Sequence, residues 1–372
     1  MSLREKIVKE IREHGAMPFS RYMTMCLYDP ELGYYSRRTE QFGKAGDFYT
    51  SSDVHAVFGR LLARQFEEMW RAMGRPGSCE IVEPGPGRGL FARDLLDWSD
   101  KKFPEFFDAL QYTLLERSAS LRTKLESNLS RHISAGKVSF ERVLGNVVPV
   151  VVFANEFFDA LPVDVLSSER QLCISEKEGR LIETWAPATA GQLEYLDRYS
   201  VHPETGERVE VALNAIEIMA TLASSFDQGF LVIVDYGYTR EEQLAGRHRD
   251  TIMTYRQHSA SPCAFEAPGE QDITAHVNFT ALAAVAEANG MKVEPLLTQS
   301  QFLLGIGEPT QFADAFEDCR VPQEHAKVAL QLKHLVTPAG MGETFHVLVA
   351  SKGVNPKDIA SLSGLSFGTS RL

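Results

Sequence analysis

Apolar residues follow two alternating patterns along this chain: short runs rich in β-branched side chains, and longer stretches with apolar positions three and four apart. The first stretch is helical, with Leu3, Ile7 and Ile11 on one face between the N-cap residue Ser2 and the terminator Gly15. Cys79–Glu83 predicts a strand, Leu90–Trp98 a helix, Tyr112–Leu115 a strand, and Ser118–Arg131 a helix capped by Ser118. Val138–Phe140 predicts a short third strand. Val150–Ala154 is apolar throughout, as a central strand buried on both faces should be. A helix over Val211–Ser224 leads to a similar run, Phe230–Val234. The last third repeats the scheme: a helix Phe279–Asn289 stopped by Gly290, a strand Met291–Leu297, helix from about Pro309 to His334, and a strand Thr344–Ala350.

Seven strands alternating with helices predict an α/β, Rossmann-like fold: a mostly parallel sheet with the last strand as an antiparallel edge. The 372 residues suit one elaborated domain over 76–352, preceded by an N-terminal helical region, 1–75. Two inserted segments stand outside the alternation. Residues 163–208 read as a small meander with turns near 177–179 and 203–206. Residues 238–276 are polar and loop-like, and a long loop in a compact domain is usually functional, so they are a candidate substrate-side loop. Residues 353–372 read as a tail.

Composition then narrows the chemistry. With 38 basic against 50 acidic residues the net charge is −12, which argues against nucleic acid as the main partner and is compatible with a basic one. The five cysteines are dispersed without a Cys-x-x-Cys pair, and the ten histidines lack ligand spacing, so the sequence offers no metal site and suggests reduced thiols. The longest apolar run, 147–154, is too short to cross a bilayer. Glu5, Glu10 and Glu13 are out of place in a mitochondrial presequence. The expectation is a bacterial cytoplasmic protein with no membrane association, or a mitochondrial matrix protein already stripped of its presequence.

The first chemical motif is Glu83-Pro84-Gly85-Pro86-Gly87-Arg88-Gly89, directly after the first strand. Glycines let backbone amides approach a ligand closely at a strand-to-helix turn. A dinucleotide turn requires a third glycine where Leu90 stands, and an acid such as Glu83 is a poor neighbour for pyrophosphate. Glu83 suits instead the cationic amino-acid end of S-adenosylmethionine. Glu116, ending the next strand, can accept hydrogen bonds from both ribose hydroxyls. The third motif, Asn155 to Pro162, follows the fourth strand, where open parallel sheets bind their ligands. Its carboxylates, Glu156 and Asp159, can align a guanidinium, which stays charged in water. A structural alternative has Asp159 capping a helical turn while Phe157 and Phe158 fill the core.

In its ordered set of motifs the chain resembles the MidA-like family of class I methyltransferases. The resemblance rests on Leu27 to Tyr35, Gly46 to Ser51, Glu83 to Gly89, Asn155 to Pro162, Asp235-Tyr236-Gly237, Tyr255-Arg256, Pro268 to Val277 and Met341-Gly342. It implies a seven-stranded class I methyltransferase sheet and S-adenosyl-L-methionine as cofactor. It also implies protein-arginine methylation of the symmetric dimethylarginine type. The resemblance carries cofactor contacts onto Glu83, Gly85, Gly87, Gly89 and Glu116, with Asn155 beside them, and makes Gly46 to Ser51 a lid with Asp47 and Thr50 as contacts. Glu156 is then the main acceptor-binding carboxylate, Asp159 or Asp235 assists, and His276 accepts the departing proton. The expected partner is a protein carrying an arginine, with a homo-oligomer left open. A small-molecule O- or N-methyltransferase, or a non-catalytic assembly factor on the same fold, are the competing readings, since fold and cofactor do not fix the acceptor.

Overall fold

A computed structural model describes residues 1–36, 56–142, 148–256, 259–261 and 263–368. The central sheet is built on β1 Cys79–Pro84, β2 Leu110–Leu115, β3 Val138–Ser139, β4 Val150–Asn155, β5 Gly229–Tyr238, β6 Lys292–Val293 and β7 Phe345–Lys352. These lie side by side in the order β3-β2-β1-β4-β5-β7-β6. The first five are parallel, with Glu80 opposite both Gln111 and Val150, and Leu231 opposite Val152. β7 runs antiparallel to β5, pairing Leu231 with Ala350. Two short strands, Val277–Asn278 on β5 and Leu297–Thr298 on β7, bring this sheet to nine among the described residues. The strand order reverses between β1 and β4, and the carboxyl ends there are where such sheets bind ligands.

Alternation along the strands explains the two cores. Ile81, Val151, Phe153, Val232, Val234 and Val347 face helices Ala56–Ala72, Leu90–Lys102 and Gln299–Gly307. Val150, Val152, Ala154, Leu231, Ile233 and Leu348 face helices Leu213–Ser224 and Phe279–Ala288. β4 is buried on both faces, which is why its sequence carries no polar alternation.

Several elements differ from the sequence reading. Met291–Leu297 does not make one strand: Pro295 cannot donate to the ladder, so Lys292–Val293 and Leu297–Thr298 pair separately with β7. β7 is antiparallel as expected but lies one strand in from the edge, with β6 outside it. Residues 163–208 hold three strands, Asp164–Ser167, Arg170–Lys177 and Arg180–Pro187, and a helix Ala190–Tyr199 that the meander reading omitted. The N-terminal region joins them, since Met17 pairs with Ile174. Residues 238–276 are not structureless: they contain helix Arg240–Leu244 and a small sheet of Met253–Arg256, Ser259–Ser261 and Asp272–Thr274. The C-terminal stretch is docked, with Ile359 and Leu362 each 1% exposed and Gly364 N–H donating to Gln65 Oε1 at 2.7 Å.

Candidate active site

The glycine turn closes β1 onto the helix Leu90–Lys102. Gly85, Gly87 and Gly89 have φ of +66°, +54° and +73°, the left-handed region that favours glycine. The space a side chain would take at Gly85 is filled by the loop after β4: an added Cβ would lie 2.8 Å from Phe157 Cδ2. Gly89 is the N-cap of the helix and supplies no side-chain cap, so the first helical N–H groups face the turn without a side-chain acceptor from it.

Glu83 is 4% exposed and accepts a hydrogen bond from Tyr112 Oη at 2.7 Å. Burial pushes its carboxyl up to about 8, against the pull of the Tyr112 hydroxyl. Glu116 follows β2 and accepts from the Ser118 N–H at 2.6 Å; burial raises it too, opposed by the Ser118 and Arg117 N–H groups. Asn155 ends β4, its Nδ2 donating to Glu156 Oε1 at 3.2 Å and its Oδ1 buried without a partner among the described residues. A turn with three left-handed glycines, the buried acid Glu83, the half-buried acid Glu116 and the unmet Asn155 oxygen fit S-adenosylmethionine, whose amino-acid end is cationic and whose ribose offers two donors. Asp47 and Thr50 lie outside the described residues.

The acid-bearing loop after β4 is strained at Glu156 and held by one carboxylate. Glu156 adopts φ +48°, unusual for a residue with a side chain, while its N–H stays in the ladder with the Val234 carbonyl at 2.9 Å. Asp235, in β5, is fully buried. Its Oδ2 accepts from the N–H groups of Phe157, Phe158 and Asp159 at 3.2, 3.0 and 3.3 Å, and its Oδ1 from Tyr236 N–H at 2.9 Å. Burial and the neighbouring Asp159 and Glu156 carboxylates push Asp235 upward, against these donors. Asp159 is 7% exposed, and burial raises it to about 6 while a hydrogen bond from Tyr236 opposes. The structure therefore gathers Asn155, Glu156, Asp159 and Asp235 at the ends of β4 and β5, with Phe157 joining them to the glycine turn.

His276 lies on the far side of Tyr236, with ring centroids 5.3 Å apart and edge to face. Its Nδ1 is 3.0 Å from His248 Nδ1, so one ring donates and the other accepts. Burial, with His248 beside it, lowers His276 to about 4, which makes it a weak base. The sequence reading had no role for Tyr112, which reaches Glu83 from the neighbouring strand, or for His248. Tyr236 was visible only as part of a motif. A tyrosine inside a strand that the pattern buries was the available signal at Tyr112, because its buried hydroxyl needs a partner.

The family described as "Putative S-adenosyl-L-methionine-dependent methyltransferase" matches residues 61–296, more than half of the chain. The protein arginine methyltransferase NDUFAF7 homolog of Drosophila melanogaster is 29% identical, over 95% of this chain and 85% of that protein. Human protein arginine methyltransferase NDUFAF7 is 26% identical, over 91% of this chain and 81% of that one. Both are named as mitochondrial, the second of the two compartments the sequence allowed. A Burkholderia thailandensis protein crystallised with S-adenosyl-homocysteine superposes with a TM-score of 0.83 at 27% identity, covering 97% of this chain and 94% of its own. Among the described residues no helix is long and apolar enough to cross a membrane. In sheet order, in sequence and in overall structure alike, the chain belongs to this family of S-adenosyl-L-methionine-dependent methyltransferases, with S-adenosyl-L-methionine as cofactor.

Proposed function

We propose that this chain methylates an arginine side chain of a protein, at the loop between Asn155 and Pro162. The observation that carries this reading is the cluster of Glu156, Asp159 and Asp235 at the carboxyl ends of β4 and β5, joined to the glycine turn by Phe157 against Gly85. A neutral or anionic acceptor gains nothing from the Glu156 and Asp159 carboxylates that Asp235 holds in place, whereas a guanidinium pairs with carboxylates through paired hydrogen bonds. The names of the NDUFAF7 relatives point the same way.

In this reading Glu83, Glu116, Asn155 and the turn glycines hold the cofactor. S-adenosylmethionine, when bound, supplies an electrophilic methyl group on its sulfonium. Glu156 and Asp159 bind and orient the acceptor nitrogen, and such alignment can contribute roughly 7–11 kcal/mol when a bimolecular step becomes intramolecular. Asp235 is a positioning residue that fixes the loop through its backbone N–H groups. The proton lost from the methylated nitrogen passes to Asp159, whose carboxyl at about 6 is a stronger base than His276 at about 4.

The test is transfer from methyl-labelled S-adenosylmethionine into a lysate, followed by acid hydrolysis and amino-acid analysis. Label in methylated arginine, lost in Glu156→Gln, is the expected result. Label confined to small molecules would overturn the reading.

A further inference from the structure

Two segments that carry the family resemblance, Leu27 to Tyr35 and Pro268 to Val277, meet over the acid-bearing loop. Tyr35 Oη donates to Asp272 Oδ1 at 3.0 Å, and the Ile273 N–H donates to the same oxygen at 3.0 Å. Tyr28 stacks on Tyr35 with ring centroids 5.6 Å apart and donates through Oη to the Ala160 carbonyl at 2.8 Å. The Ala275 N–H donates to the Asp159 carbonyl at 3.0 Å. Toward the cofactor end, Ser118 Oγ donates to the Tyr35 carbonyl at 2.8 Å while the Ser118 N–H holds Glu116. Gly269, at φ +76°, lets the two segments touch, since a Cβ there would strike the Leu32 carbonyl. One wall thus runs from Glu116 to the loop that carries Asp159.

Within this wall the acids are deep and the rings are not. Asp159 and Asp272 are 7% and 2% exposed, whereas Tyr28 is exposed and Tyr35, Tyr236 and Tyr255 are half-buried. Tyr255 lies opposite Asp272 in the small antiparallel sheet. Asp159 Oδ1 is buried with no hydrogen-bond partner among the described residues. Burial, and after it the charges of both carboxylates, raises Tyr28, Tyr35 and Tyr255 and keeps their hydroxyls protonated. Neutral tyrosine rings gathered beside two buried acids suit an organic cation. The ring faces attract it, and the acids supply charge and hydrogen-bond acceptors. A neutral ureido side chain of the same shape keeps some N–H donors but turns a carbonyl oxygen, with no charge, toward the two acids, which costs affinity.

We propose that Asp272 is a specificity-determining residue, a third carboxylate of the acceptor site beside Glu156 and Asp159, and that with Asp159 it selects a cationic side chain on a protein acceptor. The proposal rests on reading this loop as the acceptor end of the methyltransferase. It assigns Tyr35 as the positioning residue that aims Asp272, tied through Ser118 to the cofactor end.

The test is equilibrium binding of short glycine-flanked peptides to the full chain saturated with S-adenosyl-homocysteine. Three peptides differ only in a central arginine, citrulline or lysine. The arginine peptide is expected to bind at least about tenfold more tightly than the citrulline peptide, about 1.4 kcal/mol. Asp272→Asn should cut that ratio at least threefold while leaving S-adenosyl-homocysteine affinity and the melting temperature unchanged. Asp272→Glu, which keeps the charge, should restore part of it, and Tyr35→Phe should lower it without abolishing it. The proposal is overturned if the wild-type protein does not discriminate, or if Asp272→Asn leaves the ratio unchanged. It is overturned equally if the ratio falls only together with melting temperature and S-adenosyl-homocysteine affinity. Should the lysine peptide show the preference and the Asp272 dependence while arginine shows neither, Asp272 keeps its role and the arginine reading fails.

Discussion

Substituting Glu83→Gln removes the ionisable carboxyl of the glycine turn and tests what that carboxyl faces. Burial raises Glu83 from 4.5 to about 8, which corresponds to about 5 kcal/mol against the ionised form. At neutral pH Glu83 of the ligand-free protein is therefore mostly protonated. An ammonium group arriving beside it reverses that balance, so binding should release close to one proton. Calorimetric titration with S-adenosyl-homocysteine, in buffers of different ionisation enthalpy, counts that proton directly. The observed heat should change with the buffer, and affinity should rise up to about tenfold per pH unit from 6 to 8 before levelling. Glu83→Gln should abolish the buffer dependence attributable to this site and bind more weakly. Folding gives the same sign from the other side. Because the folded-state value lies above the unfolded one, the stabilising contribution is complete below 4.5 and is lost as pH rises through about 8. Ligand-free protein should lose stability over that window, and Glu83→Gln should not. Buffer-independent heat and flat affinity in the wild-type protein would show that Glu83 does not meet the amino-acid end of the cofactor.

Four further outcomes follow from the geometry. Gly85→Ala forces a side chain into a left-handed position and toward Phe157, so it should cost about 1–2 kcal/mol in denaturant unfolding and weaken cofactor binding at least tenfold. Asp235→Asn cannot accept all four backbone N–H groups, so it should lose about 1.5–3 kcal/mol and lower kcat with little change in cofactor affinity. Asp159 must be ionised to pair with a cation, so kcat/KM for an arginine peptide should fall as pH drops through about 6, and Asp159→Asn should remove that limb of the profile. Leu362→Ala should cost about 2–5 kcal/mol by opening a cavity under the C-terminal turn, and an undocked tail would show no cost.

The parts of the fold legible in the sequence were those whose burial is local and continuous. Val150–Ala154 reads as a central strand because both its faces are covered, and Ser2 with Glu5 marks a helix start that forms as a capping box. Helix Ala190–Tyr199 carries the same kind of signal, Thr189 with Gln192, but it buries only Gln192, Tyr195 and Leu196, too short an apolar stripe to stand out by periodicity. Met291–Leu297 failed at Pro295, which the apolar pattern alone does not register. Asp272–Thr274 looked like loop because its buried positions include polar side chains that bond across segments, which hydrophobic periodicity cannot see. The pairing of Met17 with Ile174 joins residues far apart in sequence, and no local pattern encodes it. The site divides the same way: the glycine turn and the Asn155 to Pro162 loop announce themselves by residue type. By contrast Tyr112 under Glu83, Tyr35 on Asp272 and the four backbone bonds of Asp235 exist only once the sheet has formed.

The most direct measurement is a crystal structure of this chain with S-adenosyl-homocysteine bound. The account predicts the amino-acid end at the Glu83 to Gly89 turn, the ribose hydroxyls on Glu116, and the sulfur facing Glu156 and Asp159. A sulfur directed away from the Asn155 to Pro162 loop, or a ligand seated off the β1 and β4 ends, would contradict it.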